Sequence, residues 1–175
     1  MSSKALNDFL EENTLRLEEG TFNKKTGKKI AACVPMHTFG IMCRIDEIKK
    51  ICKKWDIKLV EDSAEALGSK YKGLSAGKFG LLSSFSFNGN KIITSGGGGC
   101  IVTQSKLLHS KAKHITTTAK SSKNWEYIHD ELGYNFRLPN INAAIGLGQI
   151  EQLHKKIAVS YTHLRAHETS LHLVC

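Results

Sequence analysis

Apolar residues recur along this chain with two different periods, and the changes from one period to the other predict its elements. Leu6, Phe9 and Leu10 share one face of a helix over residues 5–17, with Ser3 as its N-cap. Residues 18–29 carry glycine and several lysines and read as a polar loop. Residues 30–34 are continuously apolar or small, the pattern of a parallel strand covered on both faces. After a loop over 37–43 that carries Gly40, Ile45, Ile48, Ile51, Cys52 and Trp55 return at helical spacing with lysines opposite. Residues 57–60 form the next buried strand, which ends in two carboxylates, Glu61 and Asp62.

Residues 68–80 are rich in glycine, with Tyr71 and Phe79 as their large apolar anchors. Phe85 and Phe87 then alternate with Ser86, the period of a strand. The turn Asn88-Gly89-Asn90 breaks that strand, Lys91 follows at once, and four glycines (96–99) lead into a second apolar strand over 100–102. A helix is predicted over 106–116. An irregular segment over 124–137 holds Trp125, Tyr127, His129, Tyr134, Asn135 and Arg137. Pro139 stands at the first turn of a helix over 141–153, whose apolar and small residues on nearly every side predict burial, against another subunit. The strand–helix–strand alternation predicts a doubly wound α/β domain, in which ligands bind beyond the carboxyl ends of the strands.

Two side chains carry candidate chemistry. Lys91, on a turn between predicted buried strands, is placed to be desolvated, and only a neutral amine attacks a carbonyl; the plainer reading is a surface lysine in a hairpin. Asp62 stands at a strand end where a buried carboxylate is costly without a partner; its plainer reading is an N-cap for residues 63–67. The glycines at 96–99 feed a strand, not a helix, and no Gly-Lys-Ser/Thr follows, which argues against a P-loop. They instead allow two backbone segments to pass closely.

Composition narrows the class. The 175 residues, 41% hydrophobic, suffice for one domain with a core, and no apolar run approaches the roughly 18 residues of a membrane span. The polar N-terminus is no signal peptide, and five cysteines without ligand spacing read as free thiols in a reducing cytoplasm, with no metal site. The formal charge of +9 admits a binding module for nucleic acid or another anionic polymer. The lysines, however, fall in scattered pairs, several of them on the polar faces of predicted helices, which reads as solvated surface and not as a nucleic-acid or membrane partner.

Three ordered motifs decide among these classes: Glu61-Asp62-Ser63-Ala64-Glu65, Phe85-Ser86-Phe87-Asn88-Gly89-Asn90-Lys91 and Gly133-Tyr134-Asn135-Phe136-Arg137. Together they resemble the pyridoxal-phosphate-dependent nucleotide-sugar aminotransferases of the DegT/DnrJ/StrS family, over about residues 5–157. The wording around TSGGGG and YIHDELGYNFR is most similar to the branch acting on bacillosamine- or legionaminic-type sugars. The resemblance implies part of the large cofactor-binding domain of a fold type I transferase, a mostly parallel sheet with flanking helices. It implies that Lys91 is the Schiff-base lysine of pyridoxal 5'-phosphate and moves the proton between substrate and cofactor carbons. Asp62 would pair with the pyridinium nitrogen, Ser86 would hydrogen-bond the cofactor phosphate, and Glu65 would lie near the ring, where many relatives have glutamine or histidine. Asn135 would reach the phosphate of a neighbouring subunit, implying a homodimer with shared sites. Lysine at 91, where some relatives carry histidine and dehydrate their substrate, implies amine transfer, with glutamate as donor and a keto nucleotide sugar as acceptor.

The resemblance also implies a central piece of a longer protein, because relatives carry an upstream Gly-Thr phosphate turn, a ring-stacking aromatic residue and a smaller C-terminal domain. The expected division is therefore residues 1–157, a partial large domain, and 158–175, an addition; with the upstream turn and the stacking residue missing, the chain as given is expected to be catalytically inert. Residues 159–168 match the translation of a sequencing adapter (GTC-TCT-TAT-ACA-CAT-CTC-CGA-GCC-CAC-GAG), so His163, His167 and His172 are set aside as ligands.

Overall fold

The computed structural model describes residues 1–121 and 127–170. Helix α1 (Ser3–Asn13) is capped by Ser2 rather than Ser3, whose position lies already inside the helix; the Ser2 hydroxyl accepts from the Ala5 amide at 3.4 Å. It stops four residues earlier than its apolar face suggests. Residues 14–17 pass into strand β1 (Thr14–Leu17), which pairs antiparallel with β2 (Gly20–Asn23), where the residue pattern predicts a polar loop. Gly20, at φ +127°, makes the turn, and the buried Thr21 hydroxyl donates to the Trp55 carbonyl. The hairpin is thus tied to the end of the next helix.

Strand β3 (Ala32–Cys33) leads through that helix, α2 (Ile45–Lys54), to β4 (Lys58–Asp62). A small hairpin, β5 (Lys70–Tyr71) and β6 (Leu74–Ser75), precedes β7 (Leu82–Ser86) and then β8 (Gly99–Val102). The main sheet runs in the order β3-β4-β7-β8, with the first two pairings parallel and the last antiparallel. This is the expected mixed α/β architecture with a mostly parallel sheet. Helices α3 (Lys106–Thr116), α4 (Asn140–Ile150) and α5 (Leu153–Ser170) complete the described chain. Among the described residues no helix is long and apolar enough to cross a membrane.

The core lies where α1 and α2 cover β3 and β4. Leu10, Ile45, Ile48, Cys52, Ile57, Leu59 and Phe79 are all buried there, as the helical spacing of α2 and the apolar run of β4 predict. Burial is narrower than the sequence suggests elsewhere. In the run at 30–34 only Cys33 is buried, because β3 is an edge strand. Strand β8 is exposed at all four positions although it is apolar, because it forms the other edge. Helix α4 buries no residue in this single chain, and Ile141 is 77% exposed. Pro139 is its N-cap. Trp125 lies outside the described residues.

One polar cluster organises the end of the sheet on which the candidate residues stand. Leu59 and Glu61 share the inward face of β4, in phase with Ile57 just before it, and Glu61 is fully buried. Its Oε1 accepts from the amides of Phe79 (2.8 Å) and Gly80 (2.7 Å), and its Oε2 from Gly77 (3.1 Å) and from His37 Nε2 (3.2 Å). His37 Nδ1 accepts from the Cys43 amide at 3.3 Å, which places the ring proton on Nε2, facing the carboxylate. A Cβ on Gly80 would lie 2.9 Å from the carbonyls of Leu59 and Leu82, so glycine is required for the loop to reach this carboxylate. Burial alone would push the Glu61 carboxyl up, but the His37 bond and the three amides together hold it below the usual range. A carboxyl lower in the folded than in the unfolded chain contributes stability that is present above its unfolded value and lost as pH falls through the folded one. Glu61→Gln turns an NH2 toward these donors and should cost about 3 kcal/mol. Urea unfolding from neutral to acid pH should show that gap between the two proteins closing as the pH falls below about 4.

Candidate active site

Strands β4 and β7 run parallel, with Asp62 opposite Ser84, so Asp62 and Ser86 both stand at the carboxyl edge of the sheet. The chain turns sharply at each. After Asp62, Oδ1 accepts from the Ala64 amide at 3.1 Å, an Asx turn and not the cap of a helix, since 63–67 is not helical. Oδ2 makes no hydrogen bond among the described residues. After Ser86, its Oγ accepts from the Asn88 amide at 3.3 Å.

Lys91 sits on the loop that joins β7 to β8. Phe87 closes the base of this loop: its amide donates to Gly98 at 3.0 Å, and its carbonyl accepts from Ser95 at 3.0 Å. The Lys91 amide donates to Asn88 O at 3.1 Å, and Ile93, 2% exposed, anchors the far side. The Lys91 side chain is only 16% exposed, so it is no ordinary surface lysine, and its Nζ lies 3.3 Å from Glu65 Oε1. Glu65 Oε2 accepts the Phe39 amide at 2.6 Å. The Phe39 amide and Lys91 together hold the Glu65 carboxyl below its ordinary value. Phe39 itself adopts φ 54°, ψ 24°, left-handed backbone for a non-glycine residue, with its ring 85% exposed.

The structure therefore joins Lys91 to Glu65 directly and places Asp62 and Ser86 on the same sheet edge. It does not bring Asn135 to them within one chain. Asn135 is exposed beside the end of α3, bridged to Thr117 and bonded at 3.2 Å by Arg137 Nη1. Its motif has a firm backbone reason: a Cβ on Gly133 would lie 2.3 Å from the Thr118 carbonyl carbon. The glycines at 96–99 do permit the close passage expected of them, since a Cβ on Gly99 would meet Phe85 O at 2.3 Å. Phe39 and His37 are neighbours of the site that the sequence motifs do not single out, and Glu61, which opens the first motif, is given no role by it. The signal for Glu61 is present, a carboxylate in phase with Ile57 and Leu59; that for Phe39 is not, because it contributes through its amide.

Glu65 lines a cavity of about 310 Å³ with Phe39 and Ile157, and Lys91 one of about 510 Å³ with Lys155 and Lys156. A larger groove, about 810 Å³, lies between β8, α3 and the start of α4 and contains none of the candidate residues. Cavity size is thus no guide to the chemistry here. His114, Asp130 and Glu131 also gather, but Lys111 Nζ already sits 2.6 Å from both Glu131 oxygens, which makes an ion-pair cluster of them.

The family pattern of the DegT/DnrJ/EryC1/StrS aminotransferases matches residues 10–173. The chain belongs to that family. It is 40% identical over 142 residues to the GDP-perosamine synthase of Escherichia coli O157:H7, covering 81% of this chain and 39% of that enzyme. It is 35% identical over 171 residues to a putative pyridoxal phosphate-dependent aminotransferase, EpsN, of Bacillus subtilis strain 168, covering 98% of this chain and 41% of that protein. Among solved structures it resembles Helicobacter pylori PseC, an aminotransferase involved in the biosynthesis of pseudoaminic acid. That likeness has a TM-score of 0.69 and 34% identity, over 73% of this chain and 34% of PseC. The chain thus spans about two fifths of the length of the curated relatives it matches. The family match extends to residue 173 and helix α5 to Ser170, both past residue 157.

The DegT/DnrJ/EryC1/StrS aminotransferases depend on pyridoxal phosphate, and the donor set of this site fits that group. A shielded primary amine, an unengaged carboxylate oxygen and a hydroxyl beside a polar turn are what an aldehyde, a ring nitrogen and a phosphate require. When bound, the cofactor supplies an electron sink and a carrier for the amino group. Lys91 Nζ would hold it and move a proton at the reacting carbon, Asp62 Oδ2 would keep the ring nitrogen charged, and Glu65, 3.3 Å from the amine, would orient it.

Proposed function

We propose that this chain carries the catalytic lysine region of an aminotransferase that moves an amino group from glutamate to a 4-keto nucleotide sugar. The observation that carries the reading is the Lys91–Glu65 pair, shielded from solvent at the sheet edge that also presents Asp62. In this reading the product is a sugar of cell-surface polysaccharide, made in the cytoplasm; the relationship to GDP-perosamine synthase and to PseC, an aminotransferase of pseudoaminic acid biosynthesis, supports its being an amino sugar. The working enzyme is a homodimer in which Asn135 serves the phosphate of the partner subunit. The exposure of Asn135 and the absence of buried residues on α4 support this. Residues 1–157 are part of the large domain, and 158–175 an addition to it.

Reduction with borohydride after incubation with pyridoxal phosphate tests the reading on the 175-residue chain. Peptide mapping should find the pyridoxyl group on Lys91. Labelling spread over the exposed lysines, with Lys91 unmodified, would remove the assignment.

A further inference from the structure

Two thiols of this chain touch each other in its core. Cys33 stands on β3 and Cys52 on α2, and both belong to the buried cluster between helix and sheet, 7% and 2% exposed. Their thiols are hydrogen-bonded to one another. Cys33 Sγ also lies 3.7 Å from Met1 Sδ, and Met1 itself is 55% exposed. Cys43 is arranged differently, its thiol donating to the Met36 carbonyl at 3.2 Å. Cys100 is exposed on β8, far along the chain from the pair.

Core cysteines are ordinarily small apolar residues. This pair differs in meeting sulfur to sulfur and in being asymmetric. The bond from Cys52, helped by the chain's terminal ammonium, holds the Cys33 thiol below its ordinary value against the effect of burial. The same bond, together with burial, pushes Cys52 up. One sulfur is thus prepared to become a thiolate and its neighbour to remain a thiol, the division that an attacking and a resolving cysteine require. Access runs in the same order. Cys33 belongs to a two-residue strand at the edge of the sheet, with the Met1 side chain against its sulfur, whereas Cys52 is on the buried face of α2.

We infer that Cys33 and Cys52 are a peroxide-sensitive dithiol that closes to a disulfide tying α2 to β3. The Cys33 thiolate attacks one oxygen of hydrogen peroxide, the O–O bond breaks, and Cys33 becomes a sulfenic acid. The departing hydroxide takes up the proton that Cys33 lost and leaves as water. The Cys52 sulfur then displaces the sulfenic oxygen, which departs with the Cys52 proton as a second water. The two thiols together lose two electrons, and one peroxide gains them. A dithiol reductant reverses the bond by exchange. The cross-link falls on the strand that runs on to Pro35 and His37, which hold the backbone of Asp62. The Asp62 amide donates to Pro35 O, and the His37 amide to Asp62 O, both at 3.0 Å. The inference goes beyond the aminotransferase reading and does not depend on it.

The test treats the folded 175-residue chain with a small excess of hydrogen peroxide, then blocks the remaining thiols with iodoacetamide in urea and digests without reductant. Trypsin releases residues 30–44, which carry Cys33 and Cys43, and 51–53, which carry Cys52. The two peptides should appear joined, lighter than their sum by two hydrogens, and should separate with dithiothreitol. The joined species should persist in Cys43→Ala and be absent from Cys33→Ala and Cys52→Ala. In Cys52→Ala, Cys33 should stop at the sulfenic acid and be captured by dimedone. In Cys33→Ala, Cys52 should remain a free thiol. The oxidised chain should unfold at a higher urea concentration than the reduced one. Cys33 and Cys52 both alkylated in the peroxide-treated parent would overturn the inference. So would a link made through Cys43, or one that forms only when peroxide is added to the urea-unfolded chain. The parent's own cross-link decides the matter even where an alanine variant fails to fold.

Discussion

Lys91→Arg should abolish pyridoxyl labelling at position 91 and leave the fold intact. A guanidinium can keep the contact that Lys91 Nζ makes with Glu65 at 3.3 Å, so the Glu65 link to Phe39 persists. It is never neutral in the working pH range, and so it cannot attack an aldehyde or shuttle a proton. With the segment in a polypeptide of full family length, amine transfer from glutamate should fall by about 10⁴-fold or more, the scale on which loss of a covalent residue is felt. Thermal unfolding should move by no more than a few degrees, since the guanidinium keeps the Glu65 contact that braces the loop. Turnover within tenfold of the parent enzyme would show that the lysine only braces the loop through Glu65.

Much of this site is legible in the order of the residues, for reasons that differ from one to the next. Lys91 stands out because a polar turn interrupts a period-2 run and leaves a single amine at the break, and the loop closed by Phe87 has that form. Asp62 stands out as a carboxylate at the end of an apolar strand, although its local structure is an Asx turn and not a helix cap. Glu65 is placed near the cofactor only by family resemblance. Its partners, the Lys91 amine and the Phe39 amide, are set by tertiary contacts across 26 residues that no local pattern encodes. The β1–β2 hairpin escapes pattern reading because it rests on Gly20 and on a buried threonine bonded to Trp55, neither of which disturbs a lysine-rich stretch. Strand β8 and helix α4 show the reverse error. Their apolar residues predict burial, but apolarity fixes what a surface can pack against and not whether this chain supplies the partner.

Asp62→Asn isolates charge from shape. Asparagine presents a carbonyl oxygen where Oδ1 now accepts the Ala64 amide, so the Asx turn, the register with Ser84 and the position of Glu65 should all survive. What disappears is the negative charge on the oxygen that makes no hydrogen bond among the described residues. If that oxygen faces the ring nitrogen of bound pyridoxal phosphate, its loss lets the nitrogen shed its proton, and the ring becomes a weaker electron sink. Proton transfer at Lys91 then slows while attachment at Lys91 continues. The expected result is borohydride labelling of Lys91 at the parent level, with amine transfer in the full-length polypeptide reduced by about 10²–10³-fold, the scale of a lost preorganised charge. Asp62→Ala should be at least as slow and should in addition lose about 1 kcal/mol of stability, because the turn goes with the charge. The two variants therefore separate the roles: stability should distinguish alanine from asparagine, and rate should not. An asparagine variant that turns over like the parent, beside an alanine variant that is merely less stable, would reduce Asp62 to the residue that makes the turn after β4.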